Sequence, residues 1–121
     1  MKSMPETITI DKIVKWCAVD SENDYVGFWQ IDGHARKDFG LSSEVDIRSK
    51  ALHIVEALLA ADFLVGDLKR PPEGFIPWES QTPGYVRSRI EQEWSELDRL
   101  VRPGDIGWFR KKSDYLRSKS E

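Results

Sequence analysis

One cysteine and two histidines among 121 residues leave little material for redox or metal chemistry. Cys17 has no partner, so no internal disulfide can form, and a reducing compartment is the natural home of such a chain. Its neighbours Val14, Trp16 and Val19 predict a buried, inert thiol. No apolar segment approaches the roughly 18 residues that span a bilayer. The stretch Met1 to Thr7 lacks the apolar run of a secretory signal. A cytoplasmic protein with no membrane partner is therefore expected.

The motifs of familiar site chemistry are missing too. No stretch matches the glycine-rich P-loop or dinucleotide fingerprints. Asp20-Ser21-Glu22-Asn23-Asp24 carries acids at alternate positions, as a calcium loop does. Its sixth position is Tyr25, where glycine makes the turn, and its twelfth is Ile31, where a bidentate glutamate closes the shell. His53 and Glu56 stand three apart on one helix face, the spacing of a metal pair in a helical bundle. A site needs a second such pair, and His34 is the only other histidine. Serines are plentiful, but none sits in a strand–turn–helix nucleophile motif. The expectation is a non-enzyme with no catalytic residue, no metal, no cofactor and no small-molecule substrate.

What is present is the content of a folded domain. Hydrophobic residues make up 40% and charged residues 32%, the balance of a globular chain. The length suits a single domain over residues 1–121, with an ordered core at about 8–110 and a polar, basic tail at 111–121. Five Trp and five Phe exceed what a minimal core needs, so some are expected at a binding surface. The net charge of −3 hides an asymmetry. Residues 20–46 hold seven acids against Arg36 and Lys37, whereas residues 99–119 hold seven bases against Asp105 and Asp114. An acidic front suits a basic partner, and a basic tail suits phosphate or an acidic surface.

Periodicity predicts the elements. Asp11 to Asp20 reads as a short helix capped by Asp11, although the β-branched run Thr7 to Ile10 before it equally fits a strand. Tyr25 to Ile31 is rich in strand formers and reads as a strand, with Phe28 and Trp29 on opposite faces. Asp32 to Leu41 reads as a loop. From Ser43 to about Ala61, Ile47, Ala51, Ile54, Val55, Leu58 and Leu59 trace one helical face. Phe63-Leu64-Val65, turned by Gly66-Asp67, is expected to pair with Phe75-Ile76-Pro77-Trp78 as a hairpin, with Pro77 at an edge. A helix starts at Thr82-Pro83, runs on Val86, Ile90, Trp94 and Leu97, and ends at Pro103-Gly104. Asp105 to Arg110 is the last strand, and the tail from Lys111 is expected to fray. The predicted fold is α+β: three helices with a short antiparallel sheet, a hairpin plus one strand, in a winged-helix-like layout.

That layout raises nucleic-acid binding as one function, carried by Lys50, Lys69, Arg70 and the basic tail. The helix that would read bases shows Asp46, Ser49, Lys50, His53, Glu56 and Ala57, almost as acidic as basic, so nucleic acid is the lesser expectation.

From about Val45 to Phe109 the chain also resembles a group of small bacterial proteins. Their shared pieces are a Leu-Val-x-Gly-Asp-Leu turn, Gly-Phe-x-Pro-Trp, Arg-Ile-x-x-Glu-Trp on a helix, and Gly-Asp-Ile-x-Trp-Phe. Here they stand as Leu64-Val65-Gly66-Asp67-Leu68, one residue short of the pattern, then Gly74-Phe75-Ile76-Pro77-Trp78, Arg89-Ile90-Glu91-Gln92-Glu93-Trp94 and Gly104-Asp105-Ile106-Gly107-Trp108-Phe109. Such proteins look like the immunity partners of polymorphic and contact-dependent growth-inhibition toxins. The resemblance implies an inhibitor that binds a cognate toxin C-terminal domain, a nuclease in many such systems, and blocks its active or substrate-binding surface. The segment outside the shared pattern supplies the expected contact residues: Asp20, Glu22, Asp24, Asp32 and Asp38 for charge, with Tyr25 and Trp29 as anchors.

Overall fold

The computed structural model describes residues 8–119. The Met1 to Thr7 stretch and the last two residues of the expected tail lie outside the described residues. In chain order the elements are α1 (Ile10–Ser21), β1 (Val26–Gly27), α2 (Phe28–Lys37), α3 (Glu44–Ala60), β2 (Phe63–Leu68), β3 (Phe75–Pro77), α4 (Pro83–Ser95), β4 (Trp108–Lys111) and α5 (Lys112–Lys119). The class is α+β. Five helices and a four-stranded antiparallel sheet, ordered β1-β4-β2-β3, replace the expected three helices and winged-helix-like hairpin plus strand.

The largest correction falls at residues 28–41. The strand expected over Tyr25 to Ile31 shrinks to Val26–Gly27, and the expected loop is mostly α2. Phe28, Ile31, Asp32 and Ala35 are its buried positions, one helical stripe at steps of three, one and three. Gly27 precedes the helix in extended geometry, and its N–H is satisfied by the Gln30 side chain at 2.8 Å. Two i,i+4 pairs support the helix: Arg36 on Asp32 at 3.1 Å and His34 on Asp38 at 2.6 Å. Strand-forming side chains at 25–31 lost to this periodicity and to the core beneath it. Phe28 ends fully buried and Trp29 39% exposed, one inward and one outward as expected, but on a helix.

Smaller corrections follow the same logic. Thr9, not Asp11, caps α1, its hydroxyl accepting from Lys12 N–H at 3.3 Å. Ser43 caps α3 by accepting from Asp46 N–H at 3.4 Å, at the expected place. Gly66 and Asp67 lie inside β2, and the hairpin turns after Leu68, pairing Gly66 with Pro77 and Leu68 with Phe75. A Cβ on Gly66 would stand 2.3 Å from the Ile76 carbonyl oxygen, so the glycine serves strand contact and not a turn. α4 ends at Ser95, well before Pro103. The tail folds as α5 because Asp114 is buried and accepts from the Ser21 hydroxyl at 2.9 Å, while Lys111 N–H donates to the same Ser21 oxygen at 2.8 Å.

The core lies between the helices and one sheet face. Phe109 is fully buried at its centre and pairs across the sheet with Val26 on β1 and Val65 on β2. Burying a large side chain this completely stabilises by about 2–3 kcal/mol. Cys17 is buried in the same cluster, and burial pushes its thiol up to about 12, so it holds its proton and is inert.

Candidate docking surface

The four segments 64–68, 74–78, 89–94 and 104–109 converge on one another. Trp78 Nε1–H donates to Asp67 at 3.1 Å, and the Arg89 guanidinium lies 4.0 Å over the Trp78 ring and 3.5 Å from Asp67. A Cβ on Gly107 would stand 2.9 Å from the Trp78 ring. Trp94 meets Phe28 edge to face, with ring centroids 5.1 Å apart. Asp105 accepts from Arg99 at 2.6 Å and from Arg102 N–H at 2.7 Å, which clips the 99–105 loop shut. Arg99 holds the Asp105 carboxyl below the usual carboxylate range. The pattern therefore builds scaffold, and its last piece also fixes a loop that borders the surface described next.

The acidic segment divides in two. Asp20, Glu22 and Asp24, at the C-terminal end of α1 and just past it, are exposed and form no ion pair among the described residues; Asp24 only accepts from Tyr25 N–H at 2.7 Å. Further along, Asp32 is 5% exposed and bound by Arg36, which also bridges to Glu44 at 2.6 Å. That contact draws the Glu44 carboxyl down to about 2 and raises Arg36. Asp38 is half-buried against His34 Nδ1. Asp32, expected at the contact surface, is thus turned inward and neutralised, and Asp38 is only partly available.

Between α2 and the clipped loop runs a groove of about 440 Å³, lined by Trp29, Gln30, Gly33, His34, Asp38, Leu100 and Val101 among others. Trp29 is held by packing its indole over Gly27. Trp16 of α1 lies against His34, with ring centroids 5.6 Å apart. Gln30 also lines a neighbouring hollow with Val19, Asp20, Asn23, Asp24 and Tyr25. Four of the nine exposed large apolar side chains among the described residues, Trp16, Val19, Trp29 and Leu100, therefore border this one face. Scattered apolar residues carry no message, whereas a cluster of them beside charge makes a face a candidate for interaction. Leu100 was not legible in the sequence, since it follows no helical or strand period; the Arg99 and Asp105 spacing around it is the only local signal.

Other candidates resolve differently. Tyr25 stacks on Phe75, with ring centroids 5.5 Å apart, so its ring is committed to packing. Glu56 pairs with Arg87 at 3.2 Å, away from any metal role with His53. Among the described residues, no group of three or more His, Cys, Asp or Glu side chains is placed to hold a metal ion. Lys50 stands 4.8 Å over the Phe39 ring, while Lys69 and Arg70 lie exposed at the hairpin turn. No helix of the described residues is long and apolar enough to cross a membrane. Comparison with protein-family models, curated proteins and solved structures finds no match to this chain.

Proposed function

We propose that this chain is an immunity protein, which binds a cognate bacterial toxin domain and occludes its active or substrate-binding surface. The toxin class that fits is a nuclease, whose substrate cleft is basic. One observation carries the reading: the acids Asp20, Glu22 and Asp24, exposed and without an ion pair among the described residues, border the same face as exposed Trp16, Val19, Trp29 and Leu100. Uncompensated acids steer a basic cleft into contact and speed association. Trp29 and Leu100 then supply the apolar anchor from which binding energy concentrates. The Arg99–Asp105 clip holds the loop beneath Leu100 before contact, so less ordering entropy is lost on binding. Asp38 adds charge at the rim and Tyr25 borders the hollow, whereas Asp32 lines the groove with its charge paired to Arg36.

The test is co-expression with the toxin domain encoded by a directly neighbouring gene. Protection of growth and a stable complex are expected, and changing Asp20, Glu22 and Asp24 together to Lys should remove both. Undiminished toxicity beside the intact chain would sink the proposal. Binding to duplex DNA that collapses steeply with salt would put the nucleic-acid reading in its place.

A further inference from the structure

On the sheet face turned away from the main core, one arginine lacks what the others have. Arg36, Arg48, Arg87, Arg89, Arg99 and Arg117 each pair with a carboxylate. Arg70 and Arg102 form no such pair among the described residues, but both are exposed in loops. Arg110, on β4, is half-buried, has no carboxylate in ion-pair range among the described residues, and its Nε is enclosed without a hydrogen-bond partner. Its guanidinium lies 5.0 Å over the Tyr25 ring, and Nη1–H donates to the Tyr25 hydroxyl oxygen at 3.4 Å. A guanidinium withdrawn from water without a counter-charge is costly, and each enclosed unpaired group calls for a physical explanation.

Tyr25 connects that guanidinium to a nearby groove. Tyr25 lines a groove of about 520 Å³ with Gly74, Phe75, Tyr115, Ser118 and Lys119, and Glu73 is the one acid along it among the described residues. Because the Tyr25 oxygen accepts from Arg110, its own O–H proton is left to donate, and no acceptor for it is present among the described residues. Lys119 Nζ lies 5.3 Å over the Tyr115 ring, at the wall of the same groove. The aromatic rings are already used: Tyr25 is packed between Arg110 and Phe75, and Tyr115 meets Phe75 edge to face. A stacked base therefore has no free ring, and the donors left over suit an oxyanion.

We infer that this groove binds a small ligand through a carboxylate or phosphate group, which takes the Tyr25 O–H and the Lys119 ammonium as donors. Arg110 stands behind Tyr25 as a positioning residue that supplies the compensating positive field. This site shares Tyr25 with the hollow beside the docking face proposed above, and its other lining residues are separate from that face.

The test is titration of the full chain with inorganic phosphate and, separately, with acetate, followed by backbone N–H shifts of Gly74, Ser118 and Lys119. One of the two anions should give saturable shifts in the millimolar range, on the order of 1–10 mM, and the stronger arm tells phosphate from carboxylate. Tyr25→Phe keeps the ring packing and removes only the donor; it should weaken binding at least about fivefold. Arg110→Met should abolish binding and Arg110→Lys should restore part of it, an outcome that a purely structural role does not give. Absence of saturation by about 50 mM with either anion, or binding untouched by Tyr25→Phe, overturns the inference even if Arg110→Met fails to fold.

Discussion

The acids at 20–24 and those at 32–44 have similar composition and opposite fates. The first group sits at a helix end, exposed and without an ion pair among the described residues, so its charge is offered to solvent. In the second, the helical repeat of α2 places Arg36 one turn after Asp32 and beside Glu44, and His34 one turn before Asp38, so the charge is spent internally. A run of like-signed residues is thus no measure of an acidic surface; what matters is whether the local fold delivers counter-charges to it. The first group keeps its charge free of ion pairs among the described residues, whereas most of the second is taken up internally.

Substitutions can break or sharpen that contrast. The largest effect is expected one residue from the surface. Phe28→Ala removes a fully buried ring packed on Trp94 and should cost about 3–5 kcal/mol of stability. Its neighbour Trp29→Ala should cost under about 1 kcal/mol in thermal denaturation while weakening partner binding. Equal costs at the two positions would undo the assignment of inward and outward faces.

Next in size, reversing Asp20, Glu22 and Asp24 to Lys should weaken partner binding about 100-fold, close to 2.7 kcal/mol. The melting temperature should move little, because none of the three forms an ion pair among the described residues. Loss of stability instead of binding would show that the tip is structural after all.

Asp32→Ala should do the reverse, costing about 2 kcal/mol of stability by leaving half-buried Arg36 with Glu44 alone. Its effect on binding should be no greater than its effect on the folded fraction.

The smallest effect is that of acid. Glu44 is held near 2 against an ordinary 4.5, so its contribution is complete above pH 4.5 and is lost as pH falls towards 2. Because Glu44 is 47% exposed, solvent screening keeps that contribution below about 1 kcal/mol. Asp105, also depressed by its arginine, releases the 99–105 clip in the acid direction as well. Acid unfolding followed by Trp fluorescence should therefore begin below pH 4.5, and Glu44→Gln should flatten its first phase. A wild-type profile identical to that of the variant would remove Glu44 from the account.

By itself the sequence determined those elements whose signals are local and mutually consistent. The α3 stripe with its Ser43 cap is one case, and the Pro83 helix start and the pairing of β2 with β3, though not the place of their turn, are others. In each, side-chain period, cap and turn residues favour the same backbone, so neighbours within four residues suffice. Tertiary structure decided the rest. Residues 25–31 carry strand-forming side chains and a helical stripe at once, and only the pocket for Phe28 against Trp94 selected the helix. Asp114 lies in a mainly polar segment with no apolar period to read, and its carboxylate is fixed by the buried hydroxyl of Ser21, 93 residues earlier. Which acids stay free, which aromatic faces outward and which loop walls the groove all depend on atoms far apart along the chain. Burial and ion pairing are properties of those long-range neighbours, and local periodicity does not encode them.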